Sequence, residues 1–158
     1  MNRGRIFASL LATGLLATAP VWAGSAVKDI VDHEVPTLKD GSHIALYDVE
    51  RAVLEACAHR KFEAAVTAPG LITARWVHGK HWFEVSIPYT DSTYSIRYKD
   101  SEYMKYDAAR QRIDGDYNDY VSGLSEHIEA QLDVALNRLK SIKRNSKRLA
   151  RFSPRSMA

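Results

Sequence analysis

The chain has 158 residues, 46% of them hydrophobic and 26% charged, with a formal net charge of +3. That is about one domain's worth of chain, with enough aliphatic and aromatic residues to bury one core, and it argues against a second domain. The net charge hides two halves: residues 24 to 137 hold twelve Lys or Arg against nineteen Asp or Glu, whereas from Arg138 onward there are eight bases and no acid.

The amino-terminal segment reads as an export signal. Arg3 and Arg5 precede an uncharged apolar run from Ile6 to Ala19, and Val21-Trp22-Ala23 supplies the small-residue pattern at which signal peptidase cuts. Cleavage after Ala23 would release a chain beginning at Gly24 into the periplasm, because the run is too short for a comfortable permanent anchor. Cys57 is the only cysteine, so an exported product has no internal disulfide and depends on packing for its stability. Cys57 also lies too far past the signal to be a lipid-attachment site.

Residues 24 to 42 mix charges with Gly24, Pro36 and Gly41 and show no sustained period, which predicts an extended lead-in. From Tyr47 to about Arg60 the pattern is helical. Val49, Ala52, Val53, Ala56 and Cys57 recur on one face, with Asp48 available as a cap. The period then changes to two. Leu71 to Val77 and His81 to Pro88 flank Gly79-Lys80, whose leading glycine suits a type II′ hairpin turn. A third strand carries Tyr94, Ile96 and Tyr98, and Phe62 to Thr67 adds a weaker fourth. Residues 99 to 116 are polar and turn-rich, with one helical turn expected near Asp107 to Arg112. A second helix follows, with Asp116 as N-cap and an apolar stripe through Tyr117, Val121, Leu124, Ile128, Leu132, Leu136 and Leu139. Nothing stops that helix before Pro154. The expected architecture is a two-layer α+β domain over residues 43 to 139, a meander of three or four antiparallel strands with both helices on its apolar face, followed by a basic extension over residues 140 to 158.

Six histidines raise the question of a metal. His78 and His81 would face each other across the hairpin turn, but a zinc site needs three or four ligands and no acid or cysteine is fixed beside this pair. His33, His43, His59 and His127 stand apart in sequence. The cluster Asp114, Asp116 and Asp119 lacks the spacing of a calcium loop and is explained by helix capping. Cys57 falls on an apolar helix face, where a thiol packs as a small hydrophobe. The glycine-rich phosphate loop, the Gly-x-Ser-x-Gly elbow and His-Glu-x-x-His are all missing, so no catalytic residue, metal ligand or cofactor site is assigned.

Two surfaces remain. Seven of the eight tyrosines lie between Tyr89 and Tyr120. Among them Tyr89, Tyr103 and Tyr106, in connecting segments, together with Trp82 on the outward sheet face, are the candidates for exposed contact with a ligand or protein. The basic end, with Lys140, Lys143, Arg144, Lys147, Arg148, Arg151 and Arg155, suits an anionic membrane surface; nucleic acid is a poor partner for an exported protein.

Gly70-x-Ile72-x-Ala74, Lys80-His81, Val85-x-Ile87-x-Tyr89, Tyr94-x-Ile96-x-Tyr98-x-Asp100-Ser101, Tyr106, and Tyr117-Asn118 with Val121 and Leu124 together resemble a family of small uncharacterised bacterial envelope proteins, many of them lipoproteins. The resemblance implies an α+β domain and carries no activity with it. The chain departs from the family in lacking a lipobox cysteine, in Phe62 where tryptophan is usual, and in its basic extension. The first departure implies a soluble protein. The preferred expectation is a soluble periplasmic protein that binds an envelope ligand or protein without catalysis. The alternatives are a peripheral membrane-surface protein held by the basic helix end and an envelope hydrolase with unrecognised catalytic residues.

Overall fold

A computed structural model describes residues 24–152, so residues 1–23, read above as an export signal, and residues 153–158, Arg155 among them, lie outside the described residues. In chain order the elements are β1 (Ser25–Ala26), β2 (Ile30–Glu34), α1 (Leu46–His59), β3 (Glu63–Ala68), β4 (Leu71–His78), β5 (His81–Pro88), β6 (Thr93–Glu102), β7 (Arg112–Ile113) and α2 (Asp116–Phe152). The fold is α+β.

The β4–β5 hairpin is set by its turn. Gly79 takes a φ of +59, the left-handed value that a type II′ turn needs at its first central position, and the register runs from His78 opposite His81 to Leu71 opposite Pro88. With a side-chain period of two, that register sends Ile72, Ala74, Phe83, Val85 and Ile87 to one face, where each is fully buried. β6 continues the inner face with Tyr94 and Ile96 and then inserts a bulge at the Glu84–Val85 step, which leaves Lys99 unopposed.

The meander of three or four strands expected from the alternating segments is exceeded. The described residues form a five-stranded antiparallel sheet in the order β2-β6-β5-β4-β3 and a two-stranded sheet pairing β1 with β7. Of the three extra strands, β1 and β2 come from the lead-in and β7 from the turn-rich segment before α2. β2 pairs along β6 through a bulge, where Asp32 takes a φ of +50 and donates its N–H to the Ser95 hydroxyl at 2.9 Å. A bulge breaks the period of two, and the strand was therefore invisible to pattern. The helical turn expected near Asp107 to Arg112 is also corrected. Asp107 and Arg112 exchange backbone hydrogen bonds at 2.8 and 3.1 Å as an antiparallel bridge.

α1 starts at Leu46 with no side-chain cap; Asp48 sits in the first turn and pairs with Arg51 at 3.0 Å. Its buried face, Val49, Ala52, Val53, Ala56 and Cys57, shares one core with Tyr117, Val121, Leu124, Ile128 and Leu132 of α2 and with the inner sheet face. Each fully buried aliphatic or aromatic side chain there contributes about 1.5 to 3 kcal/mol. Contact between α2 and the sheet is direct: Tyr117 packs edge-on against Phe83 at 5.0 Å, Tyr120 lies 4.2 Å from Trp76, and the buried Tyr94 hydroxyl meets Ser125 Oγ at 2.8 Å. At the other end Asn118 fastens the lead-in by accepting from the Lys28 N–H at 3.0 Å and donating to the Ala26 carbonyl at 2.9 Å.

α2 has 37 residues and spans about 55 Å. Leu136 is its last buried side chain among the described residues. Beyond it the helix leaves the core and is held by polar contacts, where Arg138 pairs with Asp48 at 3.9 Å and Lys143 donates to Asp40 at 2.9 Å and to the Ser42 hydroxyl. That contact holds the Asp40 carboxyl well below the usual carboxylate range.

Candidate functional site

The tyrosines expected at the surface separate into three environments. Tyr89 is not an exposed contact: at 4% exposure it continues β5 inward, and its hydroxyl donates to the Glu50 carboxylate on α1. Burial, with Glu50 beside it, pushes the phenol up to about 12. The bridge between Tyr89 and Tyr94 extends the sheet through what reads as a turn in sequence, and this turns the ring to the core side.

Trp82 is on the outward sheet face as expected, and it is occupied there. The Arg75 guanidinium lies 3.8 Å over its ring and its indole N–H donates to Glu102 at 2.9 Å. With the Lys99–Glu84 pair at 2.6 Å, these side chains form a stapled polar layer on that face.

Tyr103 and Tyr106 are brought together. With Tyr98 they line an open groove of about 890 Å³ between the end of β6, the 103–111 loop and the lead-in, with His81 and Lys80 at one side and Asp29 at another. Tyr98 and Tyr106 lie ring to ring at 4.3 Å, Gln111 donates to the Tyr106 hydroxyl at 3.1 Å, and the Tyr98 hydroxyl meets Ser101 at 2.9 Å. Tyr103 is 54% exposed, its carbonyl meets His81 Nδ1 at 2.9 Å, and the Lys80 ammonium lies 5.0 Å from its ring. Because a carbonyl only accepts, Nδ1 carries the proton. Asp29 anchors the opposite wall by accepting from the Tyr98 N–H at 2.9 Å.

The loop holding these residues is strained. Tyr103, Lys105 and Gln111 all take positive φ, at 57, 52 and 50 degrees, a region costly for residues with a Cβ. Such conformations persist only where the surroundings fix them, and they concentrate at ligand sites. Lys105 pairs with Asp114 at 3.8 Å, so this part of the rim is locally balanced in charge.

The two hairpin histidines diverge. His78 and His81 are opposite in register, yet His78 stacks on Trp76 at 5.9 Å whereas His81 faces Tyr103 at 6.3 Å across the groove. Among the described residues, no group of three or more His, Cys, Asp or Glu side chains is arranged to hold a metal ion. Cys57 is fully buried, and burial pushes its thiol up to about 12.

Of the basic-end residues, Lys143 alone forms an ion pair among the described residues. Lys140, Arg144, Lys147, Arg148 and Arg151 are exposed, and Ile142 and Leu149 stand beside them at 56% and 72% exposure.

The chain matches no protein-family model, no curated protein and no solved structure. Function is therefore argued from the sites themselves. Sequence reasoning found two tyrosines of the groove and missed Tyr98, His81 and Asp29. The bulge in β6 and the loop that folds back from residue 103 bring these together, and neither has a periodic signature.

Proposed function

We propose that the protein is a soluble periplasmic binding protein, a two-layer α+β domain that holds a polar, flat-faced envelope ligand such as a saccharide in the tyrosine groove and does not transform it. The observation that carries this reading is the convergence of Tyr98, Tyr103 and Tyr106 on one open groove whose loop is kept in three left-handed residues. Aromatic rings offer flat apolar faces, and the hydroxyls of Tyr98, Tyr106 and Ser101 beside them supply donors and acceptors at fixed positions. A groove this open stays wet, so affinity depends on a few well-placed contacts. Titration of the purified protein with soluble peptidoglycan disaccharide-peptides, followed by NMR and calorimetry, tests the reading. Tyr103→Ala should weaken binding at least about tenfold, the loss of one well-placed anchor. Resonances of Tyr98, Tyr103 and Tyr106 that do not move at millimolar ligand would refute it.

One observation favours a second reading, attachment to an anionic membrane surface. Ile142 and Leu149 extend the apolar stripe of α2 past the core, flanked by unpaired bases. Each base near such a surface contributes about 1 kcal/mol. Lys147→Gln/Arg148→Gln/Arg151→Gln preserves the Lys143 anchor. Salt-sensitive co-sedimentation with anionic vesicles that this variant abolishes supports the reading, and equal sedimentation of both proteins with anionic and neutral vesicles rejects it.

A further inference from the structure

Across the β4–β5 turn from the tyrosine groove, a second recess of about 480 Å³ is lined by His59, the last residue of α1, with Arg60 and Lys61 just after it, His78 at the end of β4, and His127 on α2, with Trp76 and Tyr120 completing the wall. Every titratable side chain in that lining except Tyr120 is a base or an imidazole. No carboxylate lines it, and none of the five basic or imidazole groups forms an ion pair among the described residues. In a chain whose residues 24 to 137 carry more acids than bases, such a pocket is unusual.

Two details of the backbone are suited to presenting these cations. α1 ends in a Schellman arrangement, with the Phe62 N–H on the Cys57 carbonyl at 2.8 Å and the Lys61 N–H on the Ala58 carbonyl at 3.0 Å. The left-handed residue in that motif is usually glycine; here it is Lys61, at a φ of +62. Gly123 is the second detail. It sits inside α2, where glycine weakens a helix, and a methyl group there would overlap the Arg60 guanidinium. The missing side chain lets Arg60 lie flat against the helix. One turn further along α2, His127 donates Nδ1–H to the Gly123 carbonyl at 2.9 Å, which fixes its tautomer, and its ring lies 4.9 Å from that of His59.

Compensation of the α1 dipole accounts for bases at the end of that helix. It does not account for His78 and His127, which come from other elements, or for lysine in place of glycine at the left-handed position. We infer that this recess is a binding site for a phosphate group, carried by a soluble phosphate ester or by a lipid headgroup. Arg60 offers a planar fork for two oxygens, Lys61 a point charge, and the imidazoles further donors when protonated. Donors converging from three elements match the several oxygens of phosphate better than the two of a carboxylate.

The test follows the Arg60 side chain and the His59, His78 and His127 rings by NMR during titration with inorganic phosphate, glycerol 3-phosphate and acetate, alongside co-sedimentation with phosphatidylglycerol vesicles. Phosphate should shift these resonances more strongly than acetate, and Arg60→Gln should weaken the effect at least tenfold. Lys61→Gly and Gly123→Ala separate binding from folding, since both relieve backbone cost and should leave thermal stability equal or higher while weakening phosphate binding severalfold. Shifts with glycerol 3-phosphate but no vesicle binding assign a soluble ester; vesicle binding lost in Arg60→Gln assigns a headgroup. Acetate as effective as phosphate, no response at tens of millimolar phosphate, or unchanged binding in Arg60→Gln overturns the inference.

Discussion

Ser125→Ala is the sharpest test of how α2 sits on the sheet. Ser125 is 5% exposed and its Oγ lies 2.8 Å from the hydroxyl of Tyr94, itself 1% exposed. Removing Oγ leaves the Tyr94 hydroxyl with only the Ser125 backbone carbonyl, at 3.5 Å. A buried hydroxyl so weakly satisfied costs about 1 to 3 kcal/mol, and alanine's better helix propensity returns about 0.5 kcal/mol, for a net destabilisation of about 1 kcal/mol. Tyr94→Phe should cost less, because a helical serine can turn its hydroxyl to the carbonyl one turn back. With both changes made, neither hydroxyl remains to be orphaned. The double-mutant cycle should therefore show a coupling of about 1 kcal/mol. Urea unfolding at neutral pH, followed by far-ultraviolet circular dichroism, measures all four proteins. A coupling below about 0.3 kcal/mol, within the range of independent sites, would mean that α2 does not place Ser125 over Tyr94.

Three further outcomes are expected. Leu124→Ala and Ile128→Ala, both at fully buried positions, should each cost about 2 to 5 kcal/mol in the same assay, and less than about 0.5 kcal/mol for both would contradict the shared core. Burial pushes the Tyr94 phenol from the ordinary 10 up to about 12, so its contribution is complete below pH 10 and is lost as pH rises towards 12, a difference of roughly 3 kcal/mol. Tyr89, Tyr98 and Tyr117 are raised in the same direction, and the phenolate absorbance of these four should appear together with unfolding; ionisation of all eight tyrosines near pH 10 in a still-folded protein would contradict this. Asp40→Asn removes the ion pair and leaves Lys143 only neutral acceptors on the 38–42 turn, so it should loosen that turn and speed its amide exchange with little loss of global stability. In the wild type that tie, present above the ordinary carboxylate range, is lost only when acid reaches the depressed Asp40 value.

The legible parts of the fold were those with a period and a punctuating residue. Gly79 fixes the hairpin, and His81 to Pro88 alternates without interruption, so its limits and buried face follow directly. The stripe of α2 was equally plain. β2 escaped because Asp32 bulges and shifts its register, and β1 and β7 because two-residue strands have no period. Tyr89 was misplaced for a different reason: its burial depends on Glu50, 39 residues earlier, and no local pattern encodes that partner. The same limit applies to the sites. Tyr103 and Tyr106 stood out by composition, whereas His59, His78 and His127 were scattered in sequence until the end of α1 was packed beside α2.

The position of Cys57 determines what an oxidant can see of this protein. Folded, the thiol is at 0% exposure with its ionisation pushed up to about 12 by burial, so the neutral thiol is the form present at neutral pH. Its chemistry is then gated by opening of the core rather than by reagent concentration. A lone thiol has no partner within its own chain, so oxidation of an unfolded copy joins two chains or caps one. A cross-linked or capped Cys57 cannot return to the close-packed contact between α1, α2 and the sheet. Folding thus acts as the protection of the thiol, and the vulnerable interval is the one before the helices close over the sheet.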